Sequence, residues 1–271
     1  METIINRIMY AIKSSLKNEI HSIYFIKRDD LSFCTLHNAK IFQFFIIINE
    51  NVDIESLRLL SKNLLKTREE LKREGREVDF IYGEDTLSFY THLADKADAI
   101  SGITLWCRDV INHLLLSSDY AIMLKNLSYH GELLFGNRII SEWKIPRINP
   151  WHCVFSFYDS LTRYTTYLYE LYINRDIERE YPLFNCCGLA SVLQSIKNIL
   201  LIKNVYVQEP NEIYKKFCEY FPNYDEKNTL RHLIRTTKSQ ITRSKRVYER
   251  SLFLLNHLTE YLLSGWCYAG R

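Results

Sequence analysis

His21-Ser22-Ile23-Tyr24-Phe25-Ile26 and, after a polar stretch of about a dozen residues, Ile41-Phe42-Gln43-Phe44-Phe45-Ile46-Ile47-Ile48 decide how this chain folds. Both runs are short, apolar and rich in β-branched and aromatic side chains, the composition that a pleated and buried surface favours. A helical lead-in precedes them. Its apolar positions 4, 5, 8, 9, 12 and 16, set among Glu2, Arg7, Lys13 and Lys17, have the spacing of an amphipathic helix and not that of a signal peptide. After the second run, Leu57, Leu60, Leu64, Leu65 and Leu71 predict a helix over Ile54 to Arg73 that stops near Gly75. A third strand, Glu77-Val78-Asp79-Phe80-Ile81-Tyr82, follows. Strands joined by a helix of this length define an α/β layer.

This layout resembles the minimal nucleotidyltransferase family. In that family the first strand runs into a Gly-Ser turn that holds nucleotide phosphates, and the second opens with Asp-x-Asp, whose carboxylates hold magnesium. The physical demands are close backbone approach for the phosphates and hard anionic oxygens for Mg²⁺. Here the Gly-Ser pair falls on about Ile26 and Lys27, and the two aspartates fall on about Asn38 and Lys40. An ammonium cannot ligate a cation. Asp79 is the one carboxylate the resemblance retains. Ser128 to Asn137, containing Gly131-Glu132-Leu133-Leu134-Phe135-Gly136, is similar to the family's closing strand, with Phe135 where a tyrosine stands.

Composition bounds the remainder. A chain of 271 residues with 47% hydrophobic and 25% charged residues has material for two ordinary cores, without low complexity or repeats. Eight glycines and five prolines against 19 tyrosines and 14 phenylalanines favour helices over a turn-rich β-sandwich. The seven cysteines, at 34, 107, 153, 186, 187, 218 and 267, form no Cys-x-x-Cys pair, so neither a zinc site nor a disulfide framework is indicated. Uninterrupted apolar runs such as Phe44 to Ile48 fall far short of a bilayer span. The expectation is a cytoplasmic chain with reduced thiols and no membrane partner.

Ile103 to Leu116 and Asp119 to Leu127 are expected as helices beneath the sheet. Trp143 to Trp151, with Pro146 and Pro150, predicts an extended linker. Beyond it, Phe155–Asn174, Asn185–Lys203, Pro210–Phe221 and Glu226–Ser264 are helix-periodic, with breaks at Pro182, Pro210 and Pro222. The resulting expectation is an α+β fold: a nucleotidyltransferase-like mixed sheet with helices over 1–142, a linker over 143–154, and an all-α helical bundle over 155–271. The helical part resembles domains of the HEPN type and their substrate-binding relatives, Tyr181 to Ala190 standing for the start of the central helix.

Three constellations remain. Arg250 and His257 share a helix face and, by resemblance to the Arg-x4–6-His motif of HEPN ribonucleases, are candidates for phosphate-stabilising and acid/base roles, the site lying across a homodimer. Arg108 to His113 and Arg147 to His152 match the same letters at less suitable places. Between Glu226 and Arg250 there are eight Lys or Arg against two Glu, in a protein whose net charge is +3. On one long helix Lys227, Arg231, Arg235, Lys238, Lys245 and Arg246 would fall within an arc of about 100°. Such a stripe suits a nucleic acid or an acidic protein, with His232 beside it. The aromatic run from Phe155 to Tyr172 and the Cys186-Cys187 pair are expected in the core.

The function expected from these residues is binding of a nucleotide, a nucleic acid or a protein partner by a catalytically degenerate nucleotidyltransferase-like protein. Lys27, Asn38 and Lys40 line the old cleft, and no metal is assigned. The alternatives are an active nucleotidyltransferase using Asp79 with Mg²⁺ and an NTP, a HEPN-like ribonuclease using Arg250 and His257, or a component of a toxin–antitoxin assembly.

Overall fold

The computed structural model describes residues 2–49, 52–82, 92, 96–108, 111, 118–138, 143, 145, 147–156 and 177–269. These form two compact units. The described residues among 1–28, 39–88 and 96–145 make the first; those among 29–38, 89–95 and 146–271 make the second. The fold is α+β, a five-stranded mixed sheet with helices followed by a helical region.

In the first unit the strands are β1 (Ile20–Lys27), β2 (Lys40–Ile48), β3 (Val78–Tyr82), β4 (Ala99–Cys107) and β5 (Glu132–Gly136), in the order β3-β4-β2-β1-β5. β1 is antiparallel to β2 and β5, while β2–β4 and β3–β4 are parallel. After the exposed Lys40, every side chain of β2 is buried. Alternation sends Phe42, Phe44, Ile46 and Ile48 to one face, where they meet α1 (Glu2–Leu16) and α3 (Ile54–Arg73) through Ile8, Ile12, Leu60 and Leu64. Phe45 and Ile47 go to the other, against Trp106 and against Leu124 and Leu127 of α4 (Ser118–His130).

The strand β4 corrects the helix expected from Ile103 to Leu116. It is hydrogen-bonded on both edges and almost wholly buried, so it shows a continuous apolar run whose periodicity cannot separate a buried strand from a buried helix. Residues 109, 110 and 112–117 of that expected helix lie outside the described residues.

The two glycines of the Gly131 to Gly136 motif have steric reasons. A Cβ on Gly131 would lie 2.4 Å from the Leu127 carbonyl oxygen, where α4 turns into β5. Gly136 has φ of +81°, and a Cβ there would lie 1.9 Å from the carbonyl oxygen of His21 on β1.

The second unit is organised round α5 (Ile177–Leu201), which packs against α2 (Asp29–Ser32), α6 (Pro210–Tyr220), α8 (Lys238–Arg243) and α9 (Lys245–Ala269). The predicted break at Pro182 does not occur: the helix passes through it. Proline there forfeits one hydrogen bond in the second turn, and the side chains from Leu183 to Leu201 are almost all buried round the whole helix, which outweighs that loss. Tyr181–Leu201 is apolar and long enough to cross a bilayer by composition, yet 94% of the window is buried within the protein.

Two further expectations are corrected. The proline linker holds only in part, because residues 150–156 are helical. Asn149 accepts a hydrogen bond from the His152 backbone N–H at 3.1 Å, so Asn149-Pro150 is an N-cap followed by proline in the first turn. The single helix Glu226–Ser264 is three helices: α7 (Lys227–Ile234), α8 and α9. Thr237 caps α8 through a capping box with Gln240, and Ser244 is extended, with ψ of 111°. Short polar side chains that bond their own backbone favour such breaks. The expected helix from Phe155 to Asn174, with most of its aromatic run, lies outside the described residues beyond Ser156.

Gly136→Ala is expected to lower stability by about 2 kcal/mol or more, since it combines left-handed strain with a backbone clash. Gly75→Ala, where φ is +75° and nothing lies within 4 Å, should cost only about 1 kcal/mol. Urea unfolding of both variants measures the difference; equal losses would show that the β1–β5 approach can relax.

Candidate functional site

Of the residues that the resemblance assigns to phosphate and metal, Lys27, Lys40 and Asp79 lie toward one end of the sheet in the first unit, and Asn38 belongs to the second. β1 ends at Lys27, which is exposed and paired in register with Phe42. β2 begins at Lys40, exposed and opposite Ala99, and Val78 of β3 is opposite the same Ala99. Asp79 is therefore one residue further in on the edge strand, about 10 Å from β2 across two strand spacings. Its Oδ1 lies 2.8 Å from a guanidinium nitrogen of Arg68 on α3. Asn38 is exposed in the left-handed region, with φ of +58°, a conformation asparagine adopts more readily than most residues.

The residues that the resemblance places at the metal, Asn38 and Lys40, carry no carboxylate. Mg²⁺ needs one or two carboxylates beside the substrate phosphates in a tight octahedral shell. At the head of β2 stands the Lys40 ammonium, and Asp79, two strands away, is paired with Arg68. Among the described residues no three His, Cys, Asp or Glu side chains cluster as metal ligands.

The stretch joining β1 to β2 holds a feature that the sequence reading missed. Asp30, in α2, forms an ion pair of 2.8 Å with Lys197 of α5, and the two side chains are only 1% and 3% exposed. Cys34 Sγ donates to the Asp30 carbonyl at 3.4 Å, and Lys238 Nζ donates to the carbonyl of Thr35. Residues 29–38 thus belong by their contacts to the helical unit, although a division at residue 142 would place them in the other. The sequence offers one faint signal: Lys197 is the only charged residue between Tyr181 and Leu201, and a lone charge in a buried helix requires a partner.

The basic stripe is redistributed. Lys238 is turned to Thr35, and burial lowers its pKa. Lys227 donates to the Pro222 carbonyl, and Lys245 lies 3.7 Å from Glu249. Arg231 stays exposed on α7. Arg235 and Arg246 meet at a cavity of about 280 Å³, together with Arg250, His232, Gln240 and Ser244. Arg250 and His257 have different surroundings, about 10 Å apart along the helix axis. His257 packs edge-on to Tyr224 and stacks with Phe253. His113 lies outside the described residues, and His152 serves the cap at Asn149, its Nδ1 accepting from the Asn149 N–H.

Four of the thiols, Cys34, Cys153, Cys186 and Cys187, are buried packing groups. Burial pushes Cys153 and Cys186 up to about 12, and Cys34 and Cys187 are also raised by burial. Neutral thiols are not nucleophiles.

The fold these elements build is nucleotidyltransferase-like. It is similar to that of a spectinomycin adenyltransferase from Enterococcus faecialis solved with ATP and spectinomycin, with a TM-score of 0.56 and 13% identity, over 95% of this chain and 99% of that one. At that identity the likeness establishes the fold alone. No family model matches the chain, and no curated protein sequence matches it.

Lys197→Met is expected to destabilise the protein by about 3 to 5 kcal/mol, because it strands the Asp30 carboxylate in the core. Adding Asp30→Leu should recover most of the loss, and calorimetry of both variants measures it; a double variant as unstable as the single would mean that the pair contributes more than mutual neutralisation. Iodoacetamide at about pH 8 should leave Cys34, Cys153, Cys186 and Cys187 unmodified in the native protein and label all four after unfolding. Mass spectrometry of the labelled peptides checks this.

Proposed function

We propose that this chain is a binding protein built on a nucleotidyltransferase fold, and that it recognises an anionic partner without transferring a nucleotide. The observation that carries this reading is Lys40 at the head of β2, where the resemblance expects a metal-holding carboxylate, with Asp79 engaged by Arg68. A cation there repels Mg²⁺, at about 4 kcal/mol per unit-charge pair 4 Å apart near a protein surface. The same lysine attracts phosphate oxygens. Lys27 adds a second exposed cation at this end of the sheet, so the local charge favours an anion and disfavours the metal chemistry.

The helical unit supports the same reading. A central α5 surrounded by α6, α8 and α9 is the arrangement expected of a HEPN-like or substrate-binding-like companion. We assign it a binding role and not a ribonuclease one, because Arg250 lines the arginine cavity while the His257 ring packs against Tyr224 and Phe253.

The purified chain, incubated with each of the four radiolabelled NTPs and Mg²⁺ in the presence of aminoglycoside, aminocyclitol, nucleic-acid and protein acceptors, should release no pyrophosphate and label no acceptor. Turnover that is abolished by Asp79→Ala would overturn the proposal. Restoring the ligand set with Asn38→Asp and Lys40→Asp is expected to create Mg²⁺ affinity measurable by calorimetry where the native chain has none.

A further inference from the structure

The cavity between α7, α8 and α9 lies wholly within the second unit and plays no part in the sheet-end chemistry. Arg235 closes α7, Arg246 and Arg250 lie one turn apart on α9, and His232 comes from the last turn of α7. All four are exposed. Among the described residues none of the three guanidiniums is held in an ion pair, and no acidic side chain lines the cavity. The nearest acid in sequence, Glu249, is occupied by Lys245. Three like charges converge without a protein anion to balance them, which raises the free energy of the empty cavity and lowers it when an anion enters.

The walls are anchored. Asn185, fully buried on α5, donates from Nδ2 to the Ile241 carbonyl at 2.7 Å and the Ser244 carbonyl at 3.0 Å. These two bonds fix the corner between α8 and α9. Gln240, on the cavity wall, accepts from the Thr237 N–H at 2.9 Å. The first turn of α9 follows Ser244, whose carbonyl accepts from the Val247 N–H at 3.3 Å, so the positive end of a long helix dipole lies at the same corner as Arg246.

We infer that this cavity is a binding site for the terminal phosphoryl group of a small molecule, of diphosphate size. Guanidinium forks match phosphate oxygens in pairs and bind them more strongly than neutral donors do. A volume of about 280 Å³ is just below the roughly 300 to 1,000 Å³ typical of small-molecule sites. It holds a pyrophosphate group and leaves any attached organic part outside. Three arginines round one small cavity offer more positive charge than the single charge of a phosphodiester link requires, which suits a chain end carrying two charges. The inference deepens the proposed recognition of an anion by naming its chemistry and place, and it stands or falls separately from the absence of nucleotide transfer.

The test uses the full chain and inorganic pyrophosphate, titrated by calorimetry in low-salt buffer without divalent metal. Binding at one site is expected. The variants Arg246→Gln and Arg250→Gln should each weaken it several-fold and their combination by about tenfold or more, while Arg243→Gln, which removes one charge outside the cavity lining, should alter it less than about twofold. In the native chain, saturating pyrophosphate should protect Arg235, Arg246 and Arg250 from phenylglyoxal and leave Arg243 reactive, a readout that needs no variant to fold. No binding, equal weakening by Arg243→Gln, or unprotected arginines would overturn the inference. A 5′-hydroxyl oligoribonucleotide that binds while pyrophosphate does not would overturn it too, in favour of a polyanion surface. Transfer activity together with protected arginines would sink the proposed function and leave this site standing.

Discussion

Eight consecutive buried side chains on β2 are the constraint on which the first unit depends. A strand that hides both faces needs a layer on each side, and α1 with α3 covers one while Trp106 and α4 cover the other. It also needs partners at both edges, which β1 and β4 provide. With its length committed to the core, β2 has a solvent-facing side chain only at its first residue, Lys40.

Electrostatics carries this further. Lys27 and Lys40 are exposed at the sheet end, and Asp79 is matched with Arg68. The only deeply buried ion pair described, Asp30 with Lys197, lies in the other unit and holds residues 29–38 to α5. Desolvating two charges is costly unless each is well paired. Such a contact discriminates strongly against alternative placements of the segment, because any other arrangement leaves a bare charge in the core. It also commits the Lys197 ammonium, so that the cations left open to ligands in the helical unit lie elsewhere, most densely at the Arg235, Arg246 and Arg250 cavity.

That cavity arises from the breaks in the last basic segment. One continuous helix would have spread its charges along a stripe roughly 30 Å long at about 1.5 Å per residue. The break at Thr237 and the extended Ser244 fold the segment back on itself, so that Arg235 meets residues eleven and fifteen positions further on. A surface suited to a long polyanion becomes a pocket suited to a compact one.

The sequence by itself determined the two strands around the polar stretch, the α1 and α3 helices, β3, the Gly131 to Gly136 turn into β5, and the absence of carboxylates at the head of β2. Each of these is a local pattern: alternation, a 3.6-residue period, or a named residue at a fixed offset. Tertiary structure decided what local pattern cannot express. Ile103 to Cys107 is a strand because β2 and β3 supply its hydrogen bonds on both edges, Pro182 is carried within a helix because its neighbours are buried on every side, and Asn149-Pro150 starts a helix instead of a linker. The pairing of Asp30 with a lysine 167 residues away, and the meeting of three arginines from two helices, likewise depend on long-range placement. In all of these the deciding energy is burial or charge compensation between residues distant in sequence, and spacing along the chain carries no record of it.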